Sequence, residues 1–233
     1  MPAGLTVFND DHYLVIDENF FNYSFKGKGT ATVTGPVAGP VIGGYANTLI
    51  ITVTGDAPIV AIKPNATHRW CYHSTTRSGN TWTFRFTGNL GSLGPQIGET
   101  VTYYVFDRPD DSGTNVGFQV FDASGKLTFD AGRKYMRLLY AGSLAIGGSL
   151  DFGTGNYAVA LLNQYYFYRE SPPEVGSNNH IWAMVAGTIQ FNATGVTAAN
   201  FEVATGTRAN IDAPLPNQAN GDTYLMAIDV SGY

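Results

Sequence analysis

Cysteine is nearly absent from this sequence: one residue, Cys71, in 233. No disulfide can form within the chain, and synthesis in a reducing cytoplasm is the expected origin. Charge is scarce too. Asp, Glu, Lys and Arg make up 13% of residues, against roughly 25% in an average soluble protein, and they balance at −5. The densest basic stretch holds only Arg133, Lys134 and Arg137, too few cations to neutralise a phosphate backbone, so nucleic acid is not an expected partner. No apolar run approaches the roughly 20 residues of a membrane-crossing helix, so no membrane insertion is expected. The Met1-Pro2-Ala3-Gly4 start has neither the basic nor the apolar region of a secretion signal. For that reason the tripeptides Asn65-Ala66-Thr67 and Asn192-Ala193-Thr194 are not read as glycosylated. A sustained helical period is missing throughout.

What is present is β-structure. "TLIITVTG" (48–55), "TWTFRFTG" (81–88), "TVTYYVFD" (100–107) and "TYLMAIDV" (223–230) are rich in β-branched and aromatic residues and are bounded by turn formers. In 81–86, Trp82, Phe84 and Phe86 alternate with Thr81, Thr83 and Arg85, the period of a half-buried strand. Residues 31–44, with two Gly-Pro pairs, read as a loop or an interrupted edge strand; 170–179 and 211–222 read as loops. The 44% hydrophobic content supports a sizeable core. Many short strands between frequent turns imply an all-β sandwich or barrel.

One sentence of this sequence is written twice. "GLTVFNDDHYLVID" (4–17) and "GFQVFDASGKLTFD" (117–130) share Gly4/Gly117, Val7/Val120, Phe8/Phe121, Leu14/Leu127 and Asp17/Asp130, all 113 residues apart. Each reads strand, turn, strand. "HRW" (68–70) returns as "HIW" (180–182), and "TFRFTG" (83–88) resembles "TIQFNATG" (188–195). We therefore expect an internal duplication: two tandem β-sandwich-like modules, residues 1–110 and 111–233. One core crossing residue 110 throughout would instead make the halves lobes of a single sandwich.

Candidate chemistry is thin. His68, Cys71 and His73 are the nearest approach to a metal set, but a zinc site needs four ligands, or three and a water, and only His12 and His180 remain. They read as ordinary strand residues. Most Asp residues stand at turn positions, as do Asp10, Asp11, Asp107, Asp110, Asp111, Asp122 and Asp222, and no acid pair marks a glycosidase. No nucleophile elbow or phosphate-cradling loop is present. No catalytic residue, metal or cofactor is therefore expected. The aromatic run "NQYYFYRE" (163–170) is the best candidate for binding. A strand here places Tyr165 and Phe167 on one side and Tyr166 and Tyr168 on the other: either one pair enters the core and the other stands beside Arg169, available to stack on a sugar or pack on a partner chain, or both faces are buried between a sheet and a loop.

"MPAGLTVFNDD…LVIDENFFNY" and "YYVFDRP…GFQVFDASGKLTFDAGRKYMRLL" together resemble a family of small virion proteins of tailed bacteriophages, the tail-tip or minor tail proteins. The resemblance is strongest over residues 1–30 and 100–140. It implies a non-enzymatic structural part of the tail tip or tail-fibre region, assembled in the host cytoplasm and located in the virion. Its implied partners are other phage tail proteins and a host cell-surface glycan or protein; the family has no catalytic residues to carry over. Rings and trimers prevail in tail tips, so a homo-oligomer is expected. The alternative is a carbohydrate-binding, receptor-binding module using Tyr165, Tyr166, Tyr168 and Arg169.

Overall fold

The strand-like stretches named above all form strands, because their alternating apolar side chains gain burial only on a pleated surface. The computed structural model describes residues 6–8, 10, 14–17, 20–35, 44–45, 47–64, 67–88, 93–110, 117–153, 155–163, 166–170, 179–209 and 222–233. For Phe8 and residues 14–15, 17, 44–45, 166–170, 179–182, 184 and 203–209 only the backbone is described. The first half supplies a hairpin of β1 (Thr6–Phe8) and β2 (Leu14–Asp17), then β3 (Ser24–Thr32), β4 (Gly44–Tyr45), β5 (Thr48–Thr54), β6 (Ile59–Pro64), β7 (Arg69–Ser78), β8 (Thr81–Gly88) and β9 (Thr100–Asp107). The second supplies a hairpin of β10 (Gln119–Phe121) and β11 (Leu127–Asp130), then β12 (Arg137–Leu144), β13 (Ser149–Asp151), β14 (Tyr157–Leu161), β15 (Tyr166–Glu170), β16 (Asn179–Phe191), β17 (Gly195–Ala209) and β18 (Thr223–Asp229).

Two antiparallel sheets pack face to face in an all-β sandwich. One has six strands in the order β12-β18-β14-β6-β9-β3. The other has eight, running β13-β17-β16-β7-β8-β5, with β15 also on β16 and β4 also on β17. Between the sheets lie Leu49, Ile51, Ile62, Trp70, Phe86 and Val101 from the first half and Val159, Ile189, Val196 and Leu225 from the second, all fully or almost fully buried. At about 1.5–3 kcal/mol for each fully buried large apolar side chain, this shared cluster dominates the stabilisation. Both sheets and this core run across residue 110 through the β6–β14 and β7–β16 pairings.

The strand orders are palindromes, and the registers repeat. In the two hairpins Thr6 pairs with Asp17, Val7 with Ile16 and Phe8 with Leu14, while Gln119 pairs with Asp130, Val120 with Phe129 and Phe121 with Leu127; both have a bulge at the last step. The edge strands match as well. Ser24, Phe25 and Gly27 on β3 meet Asp107, Phe106 and Val105, whereas Arg137, Leu138 and Tyr140 on β12 meet Asp229, Ile228 and Ala227, with the same one-residue bulge. Val60-Ala61-Ile62 and Val159-Ala160-Leu161 lie on the central strands β6 and β14, side by side. In the other sheet Trp70 pairs with Gly88 and Trp182 with Gly206. This register corrects one sequence match: Thr87-Gly88 corresponds to Thr205-Gly206, not to the residues ending at Gly195. Gly/Thr-rich strands look alike at several alignments, and only cross-strand partners distinguish them.

The six-stranded sheet curls until its edges touch at one end. Phe25 N donates to Lys134 O (2.7 Å) and Met136 N to Tyr23 O (2.8 Å). Inside this curl lies a second cluster of Ala61, Tyr104, Phe106, Ala158, Ala160 and Ile228. The Tyr233 ring seals it, 4.7 Å from Phe25 and 5.7 Å from Phe106. The alanines fit the crowded inner side of a tight curl, where larger groups would overpack.

Candidate functional site

Of the residues proposed for binding, Tyr166, Tyr168 and Arg169 fall on β15, and Tyr165 lies outside the described residues; of the expected loop 170–179, Glu170 and Asn179 belong to β15 and β16, and 171–178 lie outside the described residues. β15 pairs with β16 from Tyr166↔Ala186 to Glu170↔Trp182. It occupies the side of β16 where β7 begins, at Ile189↔Trp70 and Gln190↔Arg69. β15 thus sits between the halves as an insertion of the second half, since β6 runs to β7 through residues 65–68 alone. The backbone places the candidate at the seam of the molecule; its side chains lie outside the described residues.

Beside the seam, Arg69 Nε donates to Gln190 Oε1 (3.1 Å), and its guanidinium sits 3.2 Å from the centre of the Phe201 ring. Burial lowers the Arg69 pKa. A cavity of about 190 Å³ opens nearby, lined by Lys63, Thr67, Tyr157, Phe191, Asn192 and Ala193. Tyr157 Oη donates to Asn192 O (2.7 Å) and approaches Gly195 O at 2.5 Å, and burial pushes its pKa up. That hydroxyl braces the β16–β17 turn.

The His68, Cys71 and His73 set disperses. His68 Nδ1 lies 2.9 Å from Glu99 Oε2, tying the start of β7 to the loop before β9. Cys71 Sγ donates to Thr87 O (3.3 Å), and burial pushes the thiol up to about 12, so it stays protonated and inert. His73 occupies a bulge between Tyr72 and Ser74 and contacts Ser74 Oγ at 3.0 Å. Burial, then the Arg85 charge, lowers its pKa. The bulge breaks the alternation that would put Cys71 and His73 on one face. Among the described residues no group of three His, Cys, Asp or Glu side chains is placed to hold a metal ion.

The richest polar cluster lies where the second hairpin meets the first half, around a cleft of about 330 Å³. Asp107 is buried and accepts from Asp56 N (2.8 Å), Ala57 N (2.9 Å) and Arg108 N (2.7 Å), so it holds the β5–β6 turn. A Cβ on Gly55 would sit 2.1 Å from that carboxylate, which is why glycine stands there. Asp56 binds Lys126 (2.8 Å) and Arg108 (3.5 Å), and the Lys126 hydrogen bond lowers its pKa. Asp110 joins Lys26 (2.5 Å) to Arg133 (3.2 Å). Burial raises the Asp110 pKa, but the Lys26 hydrogen bond and nearby cations outweigh it, and the group lies below its ordinary value. Each carboxylate here is committed to a cation or to backbone amides. The cluster docks the second hairpin onto the first half.

Two features escaped the sequence reading. The Val-Ala-Ile/Val-Ala-Leu match of the central strands was legible as a short repeat at a different spacing from the hairpins. Lys26 and Lys28 join Arg133, Lys134 and Arg137 only when the sheet curls, and no linear pattern shows that. No family model matches this chain, and neither a curated protein nor a solved structure does.

Proposed function

We propose that this chain is a structural, non-enzymatic component of a bacteriophage tail tip or tail-fibre region that acts by contact with its neighbours and with the host surface. One observation carries the reading most. The segments that resemble tail proteins fall on the two equivalent hairpins, on the edge strands β3 and β12 that follow them and on β9, so the resemblance lies in the repeated framework. The engagement of the described polar clusters in packing supports the same view. Self-association belongs to this proposal and is supported by β12, an edge strand on which Leu138 and Leu139 are 49% and 40% exposed; unpaired apolar edges are templates for another chain.

Mass spectrometry and immunogold labelling of purified particles test it. The expected result is a fixed copy number per particle with label at the tail end. A protein abundant in the infected cell and missing from particles would overturn the reading. A glycan array with Tyr166→Ala and Tyr168→Ala tests the carbohydrate-binding alternative, which predicts a glycan-dependent signal that these changes abolish.

A further inference from the structure

The closed end of the six-stranded sheet concentrates charge that the sequence spreads out. Lys26, Lys28, Arg133, Lys134 and Arg137 are five of the 13 Lys and Arg in a chain of net charge −5, and the contact between Phe25 and Lys134 brings them together from both halves. Asp110 offsets Lys26 and Arg133, and Asp229 lies 3.3 Å from Arg137. Lys28 and Lys134 pair with no Asp or Glu side chain among the described residues. Each donates once to the main chain, Lys28 Nζ to Tyr233 O (2.8 Å) and Lys134 Nζ to Gly232 O (2.6 Å), and Arg137 reaches Ser231 O. An ammonium has three donors, so both lysines keep two for a ligand, and both are exposed. Lys134 lines a cleft of about 340 Å³ together with Tyr135, Arg137, Ser231, Gly232 and Tyr233, within the roughly 300–1,000 Å³ of small-ligand sites, and Lys28 joins it through its bond to Tyr233 O.

We infer that this cleft binds an acidic sugar unit of a surface glycan, with Lys28, Lys134 and Arg137 taking its carboxylate or phosphate and the Tyr135 and Tyr233 rings walling the sugar. The charges are complementary: a local excess of cations on an otherwise acidic surface draws a small anion and repels an extended polyanion. Nucleic acid, which needs a long row of phosphate contacts, does not fit. The assignment deepens the host-contact part of the proposed function and rests on it.

The test is titration of the full chain with a uronic-acid tetrasaccharide, a phosphorylated mannan fragment, a neutral glucan tetrasaccharide and a 12-nucleotide single strand of DNA. At least one acidic sugar should bind ten-fold or more tightly than the glucan and the DNA, and which one tells carboxylate from phosphate. The exchange K28E/K134E should weaken it at least ten-fold, while K63E, on the other cavity, leaves it unchanged. The unaltered protein should lose affinity at least three-fold between 50 and 300 mM NaCl, a readout that does not depend on any variant folding. Equal affinity for the neutral glucan, salt-independent binding, DNA binding as tight as the sugar, or the same loss in K63E would each overturn the site. Presence in particles without acidic-sugar binding removes this site alone; absence from particles removes the tail reading and leaves a sugar result standing.

Discussion

The two halves share a skeleton and differ in how it is filled. Tyr104, Val105 and Phe106 on β9 stand where Met226, Ala227 and Ile228 stand on β18, so the first half is aromatic where the second is aliphatic. Their edges are guarded differently as well. β3 carries Lys26 and Lys28, charges that discourage pairing with another chain. β12 carries Leu138 and Leu139, and Tyr140 Oη caps Ser143 O (2.6 Å) on its own strand. The equivalent edge glycines, Gly29 and Gly142, are each covered by a tyrosine ring, Tyr103 from the neighbouring strand and Tyr140 from the same one. A repeated backbone thus tolerates divergent packing and divergent edges: charge guards β3, while β12 keeps an apolar edge. The largest difference is β15, which lies at the seam and has no counterpart among the described residues of the first half.

Changes at matched positions should affect the two halves to different extents where their packing differs. The largest expected effect is Phe106→Ala, which opens a cavity beneath Tyr233 and costs about 3–5 kcal/mol, while Ile228→Val at the matched position costs about 0.5–1.5 kcal/mol. Urea unfolding measures both, and a reversed order would show that the second cluster is not packed as described. Ala61→Leu and Ala160→Leu overpack the two sides of the central strand pair and should each cost about 1–3 kcal/mol, agreeing to within roughly 0.5 kcal/mol if the halves are equivalent there. Asp56→Asn loosens the second hairpin by less than about 1 kcal/mol, since the group is half exposed and its ion pairs are screened; faster amide exchange at Lys126 and Thr128 checks it.

Acid should weaken the fold in a defined direction. Asp56, Asp110 and Asp229 all titrate below their ordinary value. The unfolded chain therefore takes up protons first, near a pH of about 4. Their stabilisation is complete above that range and is lost as pH falls through the lower folded values. Unfolding midpoints between pH 6 and 2 measure it, and Asp56→Asn should flatten the curve slightly. The smallest expected effect is at Cys71, where thiol alkylation at pH 8 should be negligible in the native protein and complete in urea.

Much of this fold was legible because side-chain period and turn residues act locally. The alternation of Trp82, Phe84 and Phe86 announces a half-buried strand, and Asp122 to Gly125 announces a turn: Asp122 Oδ1 accepts from Ser124 N and Lys126 N, and Gly125 adopts φ 78°. The hairpin repeat was visible as sequence and returned as register. The partner of each strand was not legible, because pairing is decided by packing across the sandwich. Neither the β7–β16 seam nor the curl that joins Lys28 to Lys134 leaves a local trace. The site was the least legible part, since Tyr166, Tyr168 and Arg169 identify a strand and its place depends on which neighbour accepts it.

One core runs across both halves and ties their stability together. Hydrogen exchange under increasing urea, followed on the amides of Ile62 in the first half and Leu225 in the second, tests this most directly. The two should open at one free energy and with one denaturant dependence, as members of a single cooperative unit. Separate transitions, with one half protected after the other has opened, would contradict it.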